Sequence, residues 1–309
     1  MLRTNDLVDI VSPGTPCTSN EIEKIKNYLK KADLTPRIFL EKETTLKKSP
    51  THEFASIPAA QRFAQLKKAI ESPDSKIIWC TGGGYGSAEI LPFLMKMKKP
   101  KTPKTFIGFS DISSLNIFLI QQWGWKVISA PMLIQLALNK VSKKSEKAIL
   151  DLVFGKTSEL KYHLKSLNQL STIDYRLSTI TGGCISVLCG NFGTKNQINW
   201  KDKILFLEDE GEDGERLDRY FNQITTVISE TGSKPKAVLL GNFLEGNLHG
   251  TPQAKNIEIA IKRFSEKLGT IPLFQEKSKC LGHSKNMLPL LLGAETEITA
   301  NNLLIQKLN

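Results

Sequence analysis

Short apolar runs alternate with amphipathic helical patterns through the first half of the chain, and few folds accommodate that alternation. Leu7–Val11 reads as a strand. Thr18, three residues before Glu21, forms a capping box that opens a helix with Ile22, Ile25 and Leu29 on one face. Residues 37–40 read as a second strand, and 57–71 as a helix with Phe63, Leu66 and Ile70 inward. Ile77–Cys80 reads as a buried strand, followed by glycines and a helix at about 87–97. Residues 105–109 read as another strand and about 112–122 as a helix. Strands separated by helices pair in parallel, so a layered α/β domain is expected, with ligands at the carboxyl ends of the strands. The glycine turn at 82–86 and Ser110 both fall at that edge.

The second half repeats the logic with different spacing. An apolar run at 184–188 follows Thr181-Gly182-Gly183, and strands are expected at 203–207 and 236–240. A helix at about 214–229 buries Leu217, Phe221, Ile224 and Ile228; another at 253–267 places Ile257, Ile261, Phe264 and Leu268 on one face. Between the halves, residues 140–152 read as an exposed helix and 154–174 as a polar, lysine-rich stretch. A chain of 309 residues accommodates two domains. The expected division is 1–160, a connector at 161–174, and 175–309.

Composition narrows the function classes. The formal net charge is +11, which invites a nucleic-acid or membrane partner. The lysines are scattered, however, and not interleaved with aromatics as a base-stacking surface requires. A lysine-rich solvated surface is the expectation, with neither nucleic acid nor membrane as partner. Five cysteines, with no C-x-x-C pair, argue against a disulfide framework and for a reducing compartment. Met1 to Asp9 carries Arg3, Asp6 and Asp9 and no apolar stretch of signal-peptide type, and no run approaches a membrane span. A cytoplasmic protein is expected.

Ser110 sits where a strand meets a helix. Such a serine can present its hydroxyl at the active edge, beside backbone N–H groups able to hold an oxyanion. Equally, Ser110 or Asp111 can serve as a plain helix cap. The segment is not G-x-S-x-G. A serine nucleophile needs a base, and the chain has four histidines. His52 lies in a loop far from any strand end and His163 in the connector. His249 and His283 remain, and His283, preceded by Gly282 and followed by an apolar run, is preferred. The imidazole needs a carboxylate to orient it. Glu208 stands at the expected end of a buried strand, a costly position for a charge without a partner. Asp209, Glu210, Glu212, Asp213 and Glu215 are expected in an acidic loop that starts the next helix. Gly211 and Gly214 break the ligand spacing of a calcium loop. Thr81-Gly82-Gly83-Gly84-Tyr85-Gly86 is neither a Walker loop nor G-x-G-x-x-G; an oxyanion donor, a phosphate cradle and a tight structural turn all fit it. Cys280 and His283 alone make no metal set, so neither metal nor cofactor is expected.

Ordered blocks along nearly the whole chain resemble the LD-carboxypeptidases, serine peptidases that include muramoyl-tetrapeptide carboxypeptidases and microcin C self-immunity peptidases. The blocks are Val8-Asp9-Ile10-Val11-Ser12-Pro13, Gly83-Gly84-Tyr85-Gly86 with Leu91-Pro92, and Gly108-Phe109-Ser110-Asp111-Ile112. They continue through Gly182-Gly183 with Gly193-Thr194, Leu207-Glu208-Asp209, Arg216-Leu217-Asp218-Arg219, and Gly282-His283 with Leu288-Pro289. The resemblance implies an N-terminal flavodoxin-like parallel-sheet domain and a C-terminal swivelling β/α domain. It implies a triad of Ser110, Glu208 and His283, with backbone N–H groups of Gly84 and Asp111 as oxyanion donors and Gly83 and Tyr85 at the substrate. It also implies a homodimer.

Four positions depart from the family's common pattern. Gly82 and Glu89 stand where many tetrapeptide-cleaving members carry arginine, Asn116 replaces a frequent histidine, and Ser113 a frequent threonine. The function implied is hydrolysis of an L,D-peptide bond that releases terminal D-alanine from a murein tetrapeptide in peptidoglycan recycling. A small peptide is then the partner. One alternative is an immunity peptidase acting on a microcin C-type peptidyl antibiotic. Another, of a different class, is a non-catalytic nucleotide- or nucleic-acid-binding α/β protein.

Overall fold

The computed structural model describes residues 1–39, 57–168, 177–245 and 254–308. The chain divides into two compact units, Met1–Lys156 and Thr157–Asn309.

In the first unit β1 (Leu7–Val11) leads into α1 (Ser19–Lys31), β2 (Thr35–Ile38), α2 (Ala59–Glu71) and β3 (Ile77–Cys80). Then follow α3 (Leu91–Leu94), β4 (Thr105–Ile107), α4 (Ser113–Trp123), β5 (Val127–Ser129), α5 (Leu133–Ala137) and α6 (Lys143–Val153). The strands pair in the order β5-β4-β3-β1-β2, all parallel. That is the flavodoxin-like order, in which chain direction across the sheet reverses between β1 and β3 and opens a crevice at their carboxyl ends. The capping box at Thr18 is present: the Glu21 N–H donates to Thr18 Oγ1, and the Thr18 N–H to Glu21 Oε2 at 2.8 Å. Ile22, Ile25 and Leu29 are buried. β3 is buried along its whole length, as an interior strand covered on both faces must be.

One expectation shifts here. The helix expected at about 87–97 is a 3₁₀ turn, Ser87–Ile90, followed only by the short α3. Arg62 of α2 is also buried, one turn before Leu66 on the inward face.

The second unit contains β6 (Glu159–Ser166), β7 (Ser178–Cys184), α7 (Ile185–Cys189), β8 (Ile204–Glu212), α8 (Gly214–Thr231), β9 (Ala237–Glu245) and α9 (Ala254–Leu268). It ends with β10 (Leu273–Glu276), β11 (Leu290–Leu292), β12 (Glu295–Ile298) and β13 (Leu303–Lys307). The expected β/α domain takes the form of a closed barrel, β10-β6-β13-β12-β7-β8-β9. Its β7–β10 portion is parallel and is connected through α7, α8 and α9. α8 and α9 pack together through Phe221 and Phe264, whose rings stack with centroids 4.2 Å apart.

Residues 161–166, expected in a connector, belong instead to β6. Leu160, Tyr162 and Leu164 are buried while Lys161, His163 and Lys165 are exposed, the period-two pattern of a barrel strand. The lysines on its outer face gave it the composition of a linker. Among the described residues no helix is long and apolar enough to cross a membrane.

Candidate functional site

The first unit places the expected serine turn at the crevice between β1 and β3. The loops after these strands are tied together: the Thr81 N–H donates to Val11 O at 2.9 Å, Ser12 and Thr81 share a hydroxyl hydrogen bond of 2.8 Å, and the Thr15 N–H donates to Gly83 O at 2.9 Å. Gly84 has φ +87, and a Cβ there would lie 2.2 Å from Thr15 Oγ1, so only glycine fits. The Tyr85 N–H donates to the same Thr15 oxygen at 3.1 Å, and the Tyr85 side chain is exposed.

After β4 the chain turns sharply. Phe109 is extended and Ser110 adopts φ 61, the left-handed region, before a 3₁₀ turn at Ser110–Ile112 runs into α4. A non-glycine residue held there costs about 1–2 kcal/mol, a strain that recurs at functional turns. The cap positions of the 3₁₀ turn and of α4 are Phe109 and Ile112, with no side-chain cap hydrogen bond at either. This is the shape of a nucleophile elbow without its sequence motif. Gly108 permits it, since a Cβ there would sit 2.7 Å from Ile112 Cγ2. Asn116 Nδ2 donates to Gly108 O at 2.9 Å and steadies the strand end.

The glycine turn lies directly against this serine. A Cβ on Gly83 would be 3.0 Å from Ser110 Cβ and 3.1 Å from its Oγ. Asp111 couples the two turns: its Oδ2 accepts from the Ser87 N–H at 2.9 Å, and its own carbonyl accepts from Ser87 Oγ. Burial raises the Asp111 carboxyl, opposed by the Ser87 and Gly86 backbone N–H groups and by Arg62. The Arg62 guanidinium, fully buried, donates to Ile57 O at 3.0 Å, to Gly86 O at 2.7 Å, to Pro13 O and to Glu89. Glu89, where an arginine was noted as usual, is thus the partner of a buried cation. Gly82 is different: a Cβ there meets only Ile134 Cγ2, at 3.4 Å, an ordinary contact.

In the second unit Glu208 and His283 come together. Glu208 Oε2 is 2.6 Å from His283 Nδ1 and accepts the His283 backbone N–H at 3.0 Å. Both residues are buried. With Nδ1–H committed to the carboxylate, the neutral ring keeps Nε2 as its acceptor, the disposition of a general base. Burial disfavours the charged ring, but Glu208, Glu210 and Asp209 together outweigh it and raise His283 from 6.5 to about 9.

Glu208 does not end its strand. β8 continues to Glu212, so Asp209, Glu210 and Glu212 are strand residues rather than loop. The ladder with β9 slips at this point: Leu207 opposes Leu240 while Asp209 opposes Phe243, leaving Gly241 and Asn242 across from Glu208. Such a bulge re-aims the residues beside it. Asn242 uses it to hold the histidine loop, its N–H donating to Leu281 O at 2.8 Å and its Nδ2 to His283 O at 2.6 Å. Glu276 at the end of β10 accepts the Ser278 and Cys280 N–H groups, each at 2.8 Å, and shapes the same loop. Asp209 faces away, accepting the Ser186 N–H at 2.8 Å. Asn242 and Glu276 were missed in the sequence, although a polar residue leaving a buried apolar strand was the very signal that singled out Glu208.

His163 lies on the outer face of β6, and His52 and His249 lie outside the described residues. The five cysteines are free thiols. Among the described residues no cluster of His, Cys, Asp and Glu could hold a metal ion.

Residues 8–130 match the LD-carboxypeptidase N-terminal domain, and residues 178–298 the LD-carboxypeptidase C-terminal domain. The chain belongs to the LD-carboxypeptidase family. A putative carboxypeptidase of Rickettsia conorii is 32% identical over 241 residues, 77% of this chain and 72% of that protein. The murein tetrapeptide carboxypeptidase of Pseudomonas aeruginosa is 30% identical over 201 residues, 60% of this chain and 61% of its own length. Among solved structures, an MccF-like protein from Bacillus anthracis shares the fold with a TM-score of 0.76 at 20% identity, covering 100% of this chain and 98% of its own. Family membership makes the chain a peptidase-type hydrolase of the carboxypeptidase class.

Proposed function

We propose that this LD-carboxypeptidase family member is a serine peptidase that hydrolyses an L,D-peptide bond and releases terminal D-alanine from a murein tetrapeptide, as in peptidoglycan recycling in the cytoplasm. The observation that carries the reading is the two-point hold of Glu208 on His283, through Nδ1 at 2.6 Å and the backbone N–H at 3.0 Å. A carboxylate so placed fixes the tautomer and stabilises the imidazolium that forms during proton transfer. The left-handed turn at Ser110, beside the Gly83–Gly84 turn, supports this serine as the nucleophile.

In this mechanism Nε2 of His283 takes the Ser110 proton while Oγ attacks the scissile carbonyl carbon. The oxyanion is held by the backbone N–H groups of Gly84 and Asp111. The imidazolium then gives its proton to the departing D-alanine nitrogen, leaving an ester on Ser110. Water, activated by the same histidine, hydrolyses the ester and regenerates the serine. Gly83 and Tyr85 border the substrate in this reading, and the enzyme works as a homodimer.

A substrate panel tests the assignment. The protein is incubated with a murein tetrapeptide, its counterpart ending in L-alanine, and a peptidyl adenylate analogue, and the products are resolved by mass spectrometry. The reading requires loss of one alanine from the D-terminated peptide and little change in the L-terminated one. Cleavage confined to the peptidyl nucleotide instead favours an immunity role of the microcin C type. Inertness toward all three, with salt-dependent nucleic-acid binding, favours the non-catalytic alternative.

A further inference from the structure

His283 has a carboxylate against each ring nitrogen. Glu208 Oε2 lies 2.6 Å from Nδ1, and Glu210 Oε2 lies 3.5 Å from Nε2. The two acids are two residues apart on β8, which puts them on one face of the strand, while Asp209 between them turns to Ser186. Their surroundings differ: the Glu208 side chain is 1% exposed and that of Glu210 56%. Glu208 therefore belongs to the buried scaffold of the ring, and Glu210 approaches it from the solvent side.

Nε2 is the nitrogen that must accept the serine proton. A carboxylate beside it attracts that proton and favours the imidazolium, in which Nε2 has no lone pair to offer. We propose that Glu210 is a positioning residue that holds His283 in its protonated resting form and so sets the pH at which the ring becomes available as a base. The proposal rests on the reading of His283 as the general base.

Among the described residues of the second unit, the other polar groups around the histidine loop are turned to other partners. Asp209 turns to the Ser186 N–H and contributes to the raised His283 value after Glu210. Asn242 of β9 is a neutral amide on the His283 carbonyl, and Glu276 of β10 is engaged by the Ser278 and Cys280 N–H groups. The Cys184 thiol of β7 is held neutral, chiefly by burial and then by Asp209 and Glu208. Lys285, two residues beyond the ring, is exposed. Burial lowers the His283 value, but Glu208 and then Glu210 raise it, which agrees with the geometry.

Histidine-labelled protein titrated by NMR reads the ring directly, with the His283 signal assigned by its loss in His283→Gln. In Glu210→Gln the His283 midpoint is expected to fall by about one pH unit, the low end for a charge within 4–6 Å because this one is half in solvent. Glu212→Gln, on the same strand beside Arg216, is expected to leave the midpoint in place. The acid limb of kcat/KM should move with the midpoint, raising activity there about tenfold in Glu210→Gln. Coincident midpoints in wild type and Glu210→Gln would overturn the inference. The two failures are separable: full activity in His283→Gln defeats the base assignment even if the midpoint shifts. An unmoved midpoint alongside an inactive His283→Gln defeats only the role of Glu210.

Discussion

Gly282 and Glu208 are in such close contact that one dictates the other. A Cβ on Gly282 would lie 2.6 Å from both Cβ and Oε2 of Glu208, and Gly282 also holds φ +83. The glycine before the histidine lets Glu208 reach the His283 N–H and ring together. Gly282→Ala is therefore expected to destabilise the protein by about 2–4 kcal/mol, from left-handed strain together with overpacking. Urea unfolding checks this; a change below about 0.5 kcal/mol, typical of an unconstrained surface site, would show that the contact relaxes freely.

The protonation of His283 links stability to pH. Its folded value, raised from 6.5 to about 9, means that the folded state binds the proton more tightly. The resulting stabilisation is fully present below pH 6.5 and is lost as pH rises through about 9. Urea midpoints of the wild type should fall between pH 6.5 and 9 relative to those of His283→Gln. Parallel curves for the two proteins would contradict the shift.

Gly83 tests whether the glycine turn serves chemistry as well as folding. An alanine Cβ there would press on Ser110 Cβ and Oγ at 3.0 and 3.1 Å. We expect Gly83→Ala to lower kcat about a hundredfold, the scale of a small misplacement of a reacting group, while the melting temperature moves little. Wild-type kcat would mean that the turn has no part in catalysis.

Gly82 and Glu89 should respond differently to arginine. A Cβ at Gly82 makes only ordinary contact, so Gly82→Arg should fold with little loss of stability and lower KM for a peptide with a free terminal carboxylate. Glu89→Arg would set a second cation against the buried Arg62 and should destabilise the fold by about 1–3 kcal/mol. Melting curves and KM of both variants, measured together, check the pair. Equal destabilisation would contradict the distinction.

Much of this architecture is legible in the sequence because local pattern and tertiary role coincide there. Leu7–Val11 and the helix after Thr18 follow from strand and capping signals that no long-range contact overrides. Other features arise only from contacts across the fold. The lysine-bearing outer face of β6 hid a period-two strand inside an apparent linker. The continuation of β8 past Glu208 depends on a bulge whose extra residue lies in β9, out of sight of any local window. Arg62, one turn before Leu66, lies on the buried face of its helix, a placement for a cation that only its partners across the fold explain. At the site, strand edges made Ser110 and Glu208 candidates and left His249 beside the preferred His283; the triad itself came from the family resemblance. The left-handed serine and the second carboxylate at Glu210 needed coordinates.

The central claim is that Ser110 is the nucleophile of an L,D-carboxypeptidase, and the rate of D-alanine release by Ser110→Ala tests it most directly. The account predicts that kcat/KM on a murein tetrapeptide falls at least about a thousandfold, as for loss of a nucleophile, with an unchanged melting profile. A Ser110→Ala protein that folds normally and releases D-alanine within about tenfold of the wild-type rate, a difference of only about 1.4 kcal/mol in the barrier, would contradict it.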